Sequence, residues 1–168
     1  MAGDIKLKYG TAAAFTVTGL HSLASSTTAG WATDAINNTS TLAMDYLVGG
    51  EIILGTTPTT DKSVTIYAFA AYDTTPTYPG IFTGTYAGSN GALTVTDDEE
   101  RNSGLRELWS SVCDASTNAV HSMPPTSIAS VFGCVPPYWA LFVLHDTAVN
   151  LKSSGSALYY IPVLHQYT

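Results

Sequence analysis

The run Ser63–Tyr72 constrains this chain more than any other stretch. It reads Ser-Val-Thr-Ile-Tyr-Ala-Phe-Ala-Ala-Tyr. Val64, Ile66, Ala68 and Ala70 fall on one face of an extended chain, and Thr65, Tyr67, Phe69 and Ala71 on the other. That period of two suits a strand and not a helix. Neither face is strongly polar, so the reading is a strand covered on both sides. A second β-rich run, Leu42–Leu54, precedes it across a turn cluster, Gly55–Lys62, that contains Pro58. The short link predicts that the two runs pair as an antiparallel hairpin. On this reading Thr41–Asp73 is the unit around which the chain is organised.

The remaining segments read as short strands and loops. Asp4–Tyr9 is a strand with Ile5, Leu7 and Tyr9 on one face and Lys6 and Lys8 on the other. Lysines on a terminal strand commonly blunt an exposed edge. A second strand runs around Phe15, Val17 and Leu20. His21–Gly30 reads as a loop and Trp31–Ile36 as a short strand. The Asn37-Asn38-Thr39-Ser40 cluster is a turn, and its match to a glycosylation acceptor is read as chance. Gly49-Gly50 marks a bend or bulge inside the Leu42–Leu54 run. Asp73–Gly91 is a long loop rich in Thr, Pro, Gly and Tyr, followed by a strand at Ala92–Thr96. Asp97-Asp98-Glu99-Glu100 reads as a solvated loop tip.

Leu105–Cys113 is the next strand, and Ala119–Met123 a brief one that Pro124-Pro125 breaks. Thr126–Phe132 allows a turn or two of helix, with Thr126 as cap and Gly133 as stop. Tyr138–Asp146 is the most apolar strand. After a turn at Ser153–Ser156, Ala157–Gln166 is the last, and its Pro162 places it at an edge or a bulge. About eight antiparallel strands with minimal helix predict an all-β two-sheet sandwich of jelly-roll type, in a single domain spanning 1–168.

Composition bears on partners. Charged residues make up only 11% of the chain, less than half the share usual for a soluble domain. The 24 Thr and 16 Ser take their place. Too few charges remain to clothe a lone monomer, which predicts surface covered by neighbours and hence a homo-oligomer. The net charge is −7, and the six basic residues form no block. Phosphate neutralisation and binding to an anionic membrane are therefore not expected. The longest apolar run, Tyr138–Leu144, is too short to span a bilayer. The N-terminus has no signal-peptide core, so synthesis in a cytoplasm is expected. Cys113 and Cys134 lack metal-type spacing and are expected to be free and buried.

No motif for catalysis emerges. There is no nucleophile elbow and no phosphate loop. His21, His121, His145 and His165 are dispersed, and a lone histidine at a strand end reads as a surface or interface residue. His145 and Asp146 are neighbours, but adjacent side chains in a strand point to opposite faces. The chain is therefore read as a non-enzyme with no cofactor and no metal. The aromatic residues Tyr72, Tyr78, Phe82 and Tyr86 on or beside the long loop have two readings. They pack the loop onto the sheets, or they meet a sugar or a protein partner.

From Gly3–Gly10 onward the chain resembles small virion structural proteins of tailed bacteriophages, of the capsid decoration or cement type. The segments that carry the resemblance are the first strand, the Ser22–Thr28 loop leading through Trp31 to Asn38-Thr39, the link Gly55–Lys62, and the block Pro124–Leu144. The chain departs from the pattern at Gly49-Gly50 and at Cys134-Val135-Pro136-Pro137. The resemblance implies a virion protein that contacts the major capsid protein or other virion proteins, with a trimer as the favoured assembly. The alternative is a tail or neck component with a receptor- or glycan-binding loop. Candidate partner contacts are Lys6, Lys8, Tyr78, Phe82 and Tyr86.

Overall fold

The computed structural model describes residues 5–167, all in one chain. Asp4, assigned above to the first strand, lies outside them. Strand accounts for 46% of the described residues and helix for 12%, so the all-β expectation holds. Among the described residues there are eleven strands instead of eight. They are β1 (Ile5–Tyr9), β2 (Ala13–Ala14), β3 (Ser26–Ala32), β4 (Ile36–Asn37), β5 (Asp45–Ile53), β6 (Ser63–Ala70), β7 (Gly91–Thr94), β8 (Arg106–Val112), β9 (Val120–Ser127), β10 (Tyr138–His145) and β11 (Ala157–Tyr167). The helices are α1 (Asn38–Thr41), α2 (Asp98–Gly104) and α3 (Ile128–Phe132).

Sheet A runs β1-β11-β5-β9, with β2 also on β11, and sheet B runs β7-β3-β10-β6-β8, with β4 also on β10. Setting aside the short β2, β4 and β7 leaves eight strands. The first pairs with the last, β1 with β11, and the second with the seventh, β3 with β10. The third pairs with the sixth, β5 with β9, and the fourth with the fifth, β6 with β8. This is one long hairpin. Rolling it up adds the contacts β11·β5 and β10·β6 and divides it into two sheets. The result is a jelly roll.

The predicted hairpin of Leu42–Leu54 with Ser63–Tyr72 is overturned. β5 lies in sheet A and β6 in sheet B, so the Gly55–Lys62 link crosses between sheets instead of reversing within one. Stacked sheets lie about 10 Å apart, a distance that an eight-residue link spans easily. The reading of β6 as covered on both faces does hold. Val64, Ile66 and Ala68 point into the core between the sheets, with Trp139, Leu141 and Val143 of β10 and Tyr46, Val48, Ile52 and Leu158 of sheet A. Phe69 points the other way, into a second core with Ala140, Phe142 and Leu144. β10 is therefore buried on both faces, which accounts for its unbroken apolar run.

Several boundaries move. The strand expected around Phe15, Val17 and Leu20 is not formed: β2 stops before it, at Ala14, and Thr18–Leu20 is a 3-10 turn. Ser26–Gly30, expected as loop, belongs to β3. The strand expected at Trp31–Ile36 is split between β3 and β4. Pro124 and Pro125 do not break β9. They are tolerated because β9 is the edge of sheet A and its register with β5 shifts at that point, between Val48 and Gly50. That shift confirms the expected irregularity at Gly49-Gly50. A Cβ on Gly50 would lie 2.1 Å from the Ala157 carbonyl oxygen, so β11 requires glycine there.

Pro162 was expected at an edge or a bulge, but β11 is internal to sheet A, flanked by β1 and β5. Its carbonyl accepts from the Gly10 amide at 2.8 Å. Its ring nitrogen thus faces the point where β1 ends, and no ladder bond of a continuous strand is lost. The acidic run is a helix instead of a loop tip. Asp97 caps α2 by accepting from the Glu100 amide, and three carboxylates occupy the first turn, where the helix dipole favours them. The cap of α3 is Ser127, not Thr126, and Gly133 stops it at φ 81°. Cys113 is buried but Cys134 is exposed, against the expectation that both are buried, and the two are free.

Candidate contact surface

The two sheets are finished differently on their outer faces. Sheet B is covered. The long connection from β6 to β8 folds back over it, and Ile81, Phe82, Tyr86, Val95 and Leu105 close the second core. Phe69 lies at its centre, with T-shaped contacts to Tyr78, Phe82 and Tyr86 at 6.0, 5.3 and 4.9 Å. The Tyr86 hydroxyl donates to the Thr33 carbonyl at 2.6 Å, and burial pushes its pKa far above the usual phenol range. Phe82 and Tyr86 are each 5% exposed. Tyr78 is half-buried against Tyr86. Of the candidate contact residues, these three are therefore packing groups that hold the loop down.

Sheet A is finished otherwise. Along β11, Leu158, Tyr160 and Leu164 face the inter-sheet core. By strand alternation Tyr159, Ile161 and Val163 face outward. On β5, Leu47 and Ile53 face outward in the same way. Leu47, Met123, Pro125, Tyr159 and Ile161 line a shallow apolar dent of about 160 Å³ on this side. Register then extends the surface to β1: Ile5, Leu7 and Tyr9 lie opposite Tyr167, His165 and Val163. Their exposures are 67%, 61% and 62%, and Tyr159 adds 48%. Lys6 and Lys8, the other two candidate contacts, are exposed on the opposite face of β1. The structure thus separates the five candidates: Lys6 and Lys8 on an open strand, Phe82 and Tyr86 inside, and Tyr78 half-buried against them. Sequence reasoning missed Tyr159, Leu47 and Ile161, because both faces of β11 are apolar and alternation alone does not say which one is covered.

A polar cavity of about 220 Å³ opens on sheet B, lined by Ser26, Thr65, Tyr67, Asp98, Arg101 and Asp146 among others. Its charges are engaged within the chain. Arg101 donates to the Asp98 carboxylate at 2.7 Å and to the Thr27 carbonyl at 3.2 Å. Burial alone would raise the pKa of the Asp146 carboxyl. The Ser63 amide, at 2.9 Å, and Lys62, at 3.1 Å, hold it below the usual carboxylate range instead. No group of three or more His, Cys, Asp or Glu side chains is placed to hold a metal ion among the described residues. No helix among them is long and apolar enough to cross a membrane.

His145 corrects the surface reading of the dispersed histidines. It is fully buried, with Nδ1 beside the Thr147 hydroxyl at 3.0 Å and Nε2 beside the Leu23 carbonyl at 3.1 Å. Burial pushes its pKa below the usual imidazole value. The unfolded chain then binds a proton at higher pH than the folded one, so stability is complete above about pH 6.5 and declines as the pH falls below it. Asp114 and Asp146 also have lowered values, and their contributions fade only in the carboxylate range, at lower pH. Denaturant titrations at pH 7 and pH 5 are expected to show lower stability at pH 5. The loss should be largely absent in His145→Gln.

No family model matches the chain, and neither curated proteins nor solved structures give a match.

Proposed function

We propose that this chain is a non-enzymatic virion structural protein, a capsid decoration or cement protein that reinforces the shell through repeated contacts with the major capsid protein. The observation that carries this reading is the apolar outer side of sheet A, which holds both the dent at Leu47 and Ile161 and the exposed row Ile5, Leu7 and Tyr9. Exposed apolar surface of that extent marks a place where another protein packs. The two-sheet scaffold holds this surface rigid, so docking needs little ordering of the chain. Many copies on one shell act together, and modest affinity per copy then suffices to strengthen the particle. Neighbouring copies of the chain share the surface in this reading, with a trimer as the arrangement that the resemblance implies.

The rival reading is a tail or neck component with a glycan-binding loop. Its glycan-binding loop drew on Tyr72, Tyr78, Phe82 and Tyr86; the last three pack into or against the second core and lend it no support, and Tyr72 alone of the four is exposed, at 74%. Imaging of virions with the protein present and with it deleted separates the two. Loss of density from the shell, with particles more fragile to heat, is the expected result. Loss of density from the tail or neck would favour the rival, and absence of the protein from virions would end both readings.

A further inference from the structure

We infer that the free edge of β1 takes up a strand from a partner protein in which apolar and acidic residues alternate. This deepens the contact reading above, and rests on it, by naming the chemistry of the partner at that edge.

The backbone supplies the first half of the argument. Among the described residues, β1 is the terminal strand of sheet A and pairs with β11 alone. The Gly10 amide donates to the Pro162 carbonyl, and Gly10 stands opposite Pro162 in the continued register. Hydrogen-bonded and non-bonded pairs alternate in an antiparallel ladder. Lys8 and Lys6 therefore direct their backbone groups toward β11. Ile5, Leu7 and Tyr9 direct theirs away from it, toward the open edge. Three residues thus present amides and carbonyls in the geometry that an added strand requires. The opposite edge of sheet A, β9, carries Pro124 and Pro125 and is guarded.

The side chains supply the second half. An added strand places residues opposite Ile5, Leu7 and Tyr9 on the outer face, where they extend an apolar row. Residues opposite Lys6 and Lys8 fall on the other face, beside two ammonium groups. Both lysines are exposed, and neither has an ion-pair partner among the described residues. Opposite charges across a strand pair stabilise it and like charges destabilise it. The fitting partner is therefore apolar-acidic-apolar-acidic-apolar. A second copy of β1 paired along the middle of the strand does not fit. Two-fold antiparallel registers centred on Lys6, Leu7 or Lys8 each set at least one lysine against a lysine.

The test uses the full chain and a labelled peptide, Thr-Val-Glu-Val-Glu-Val-Thr, followed by fluorescence anisotropy. The control peptide carries Lys in place of Glu. The acidic peptide is expected to bind at least about tenfold more tightly than the control at low salt, with the preference shrinking as salt screens the contact. The double substitution Lys6→Glu with Lys8→Glu should reverse the preference. Leu7→Pro removes an outward amide that serves no bond within the chain, so it should abolish binding of both peptides while leaving the thermal melt in place.

Equal binding of the two peptides would overturn the inference, and so would undiminished binding to Leu7→Pro. A concentration-dependent dimer abolished by Leu7→Pro would also overturn it, by showing that a second copy occupies the edge. If Leu7→Pro fails to fold, the charge-reversal pair still decides. A protein that decorates particles yet shows no peptide preference would refute this inference and leave the contact reading standing.

Discussion

Trp139→Ala is expected to lower the free energy of unfolding by about 3–5 kcal/mol, the range for removing a large aromatic side chain from a core. Trp139 is fully buried and lies on β10, the strand with both faces covered. Its ring meets Tyr46 of sheet A at 5.2 Å and Phe15 at 6.1 Å, so it joins the two sheets at one point. Tyr46 cannot collapse into the space without dragging β5, because it is also held through its hydroxyl, which donates to Asn38 at 3.2 Å. Domains of ordinary size are stable by about 5–15 kcal/mol, so a large share of the total would be lost. Denaturant unfolding of the purified variant measures it. A loss under about 1 kcal/mol would mean that Trp139 does not couple the sheets.

Phe69→Ala is expected to cost a similar amount, about 3–5 kcal/mol, but with a different symptom. Phe69 contacts Tyr78, Phe82 and Tyr86, and such ring pairs contribute about 0.5–1.5 kcal/mol each beyond burial. These three rings hold the Asp73–Gly91 segment against sheet B. Limited proteolysis should therefore cut the variant first within that segment, before global unfolding. Cleavage at the same rate in variant and parent would show that the loop is held by something other than the second core.

Those two residues also show what was legible in the sequence. Phe69 sits in a run with two apolar faces, and that pattern alone signals a strand covered on both sides. The unbroken apolar run at Tyr138–Leu144 carries the same signal for β10. What alternation does not encode is which strand pairs with which. The Gly55–Lys62 link looks like a hairpin turn, yet the strands it joins find their partners far along the chain, β5 with β9 and β11, β6 with β8 and β10. Hydrogen bonding between backbones is the same for any partner, so pairing is decided by burial across the whole fold. Pro124-Pro125 and Pro162 misled for a related reason. A proline forbids one bond, and whether that bond was needed depends on the neighbouring strand.

The contact surface was half legible. The shortage of charge pointed to covered surface, and Lys6 and Lys8 marked β1 as an edge. The tyrosines of the long loop did not resolve, because a ring on a loop has the same sequence signature whether it packs inward or faces a partner. Tyr159 and Ile161 went unnoticed for the reason that makes them informative. They stand on the face that the fold leaves open, opposite Leu158 and Tyr160 on the face that it closes.

Imaging of intact particles at a resolution that orients the fold tests the central claim most directly. The account predicts that the sheet A side of each copy, with Ile5, Leu7, Tyr9, Tyr159 and Ile161, lies against neighbouring protein, while the Asp73–Gly91 cover of sheet B faces outward. Copies attached through that cover or the polar cavity beside Arg101, with the outer face of sheet A bare, would contradict it.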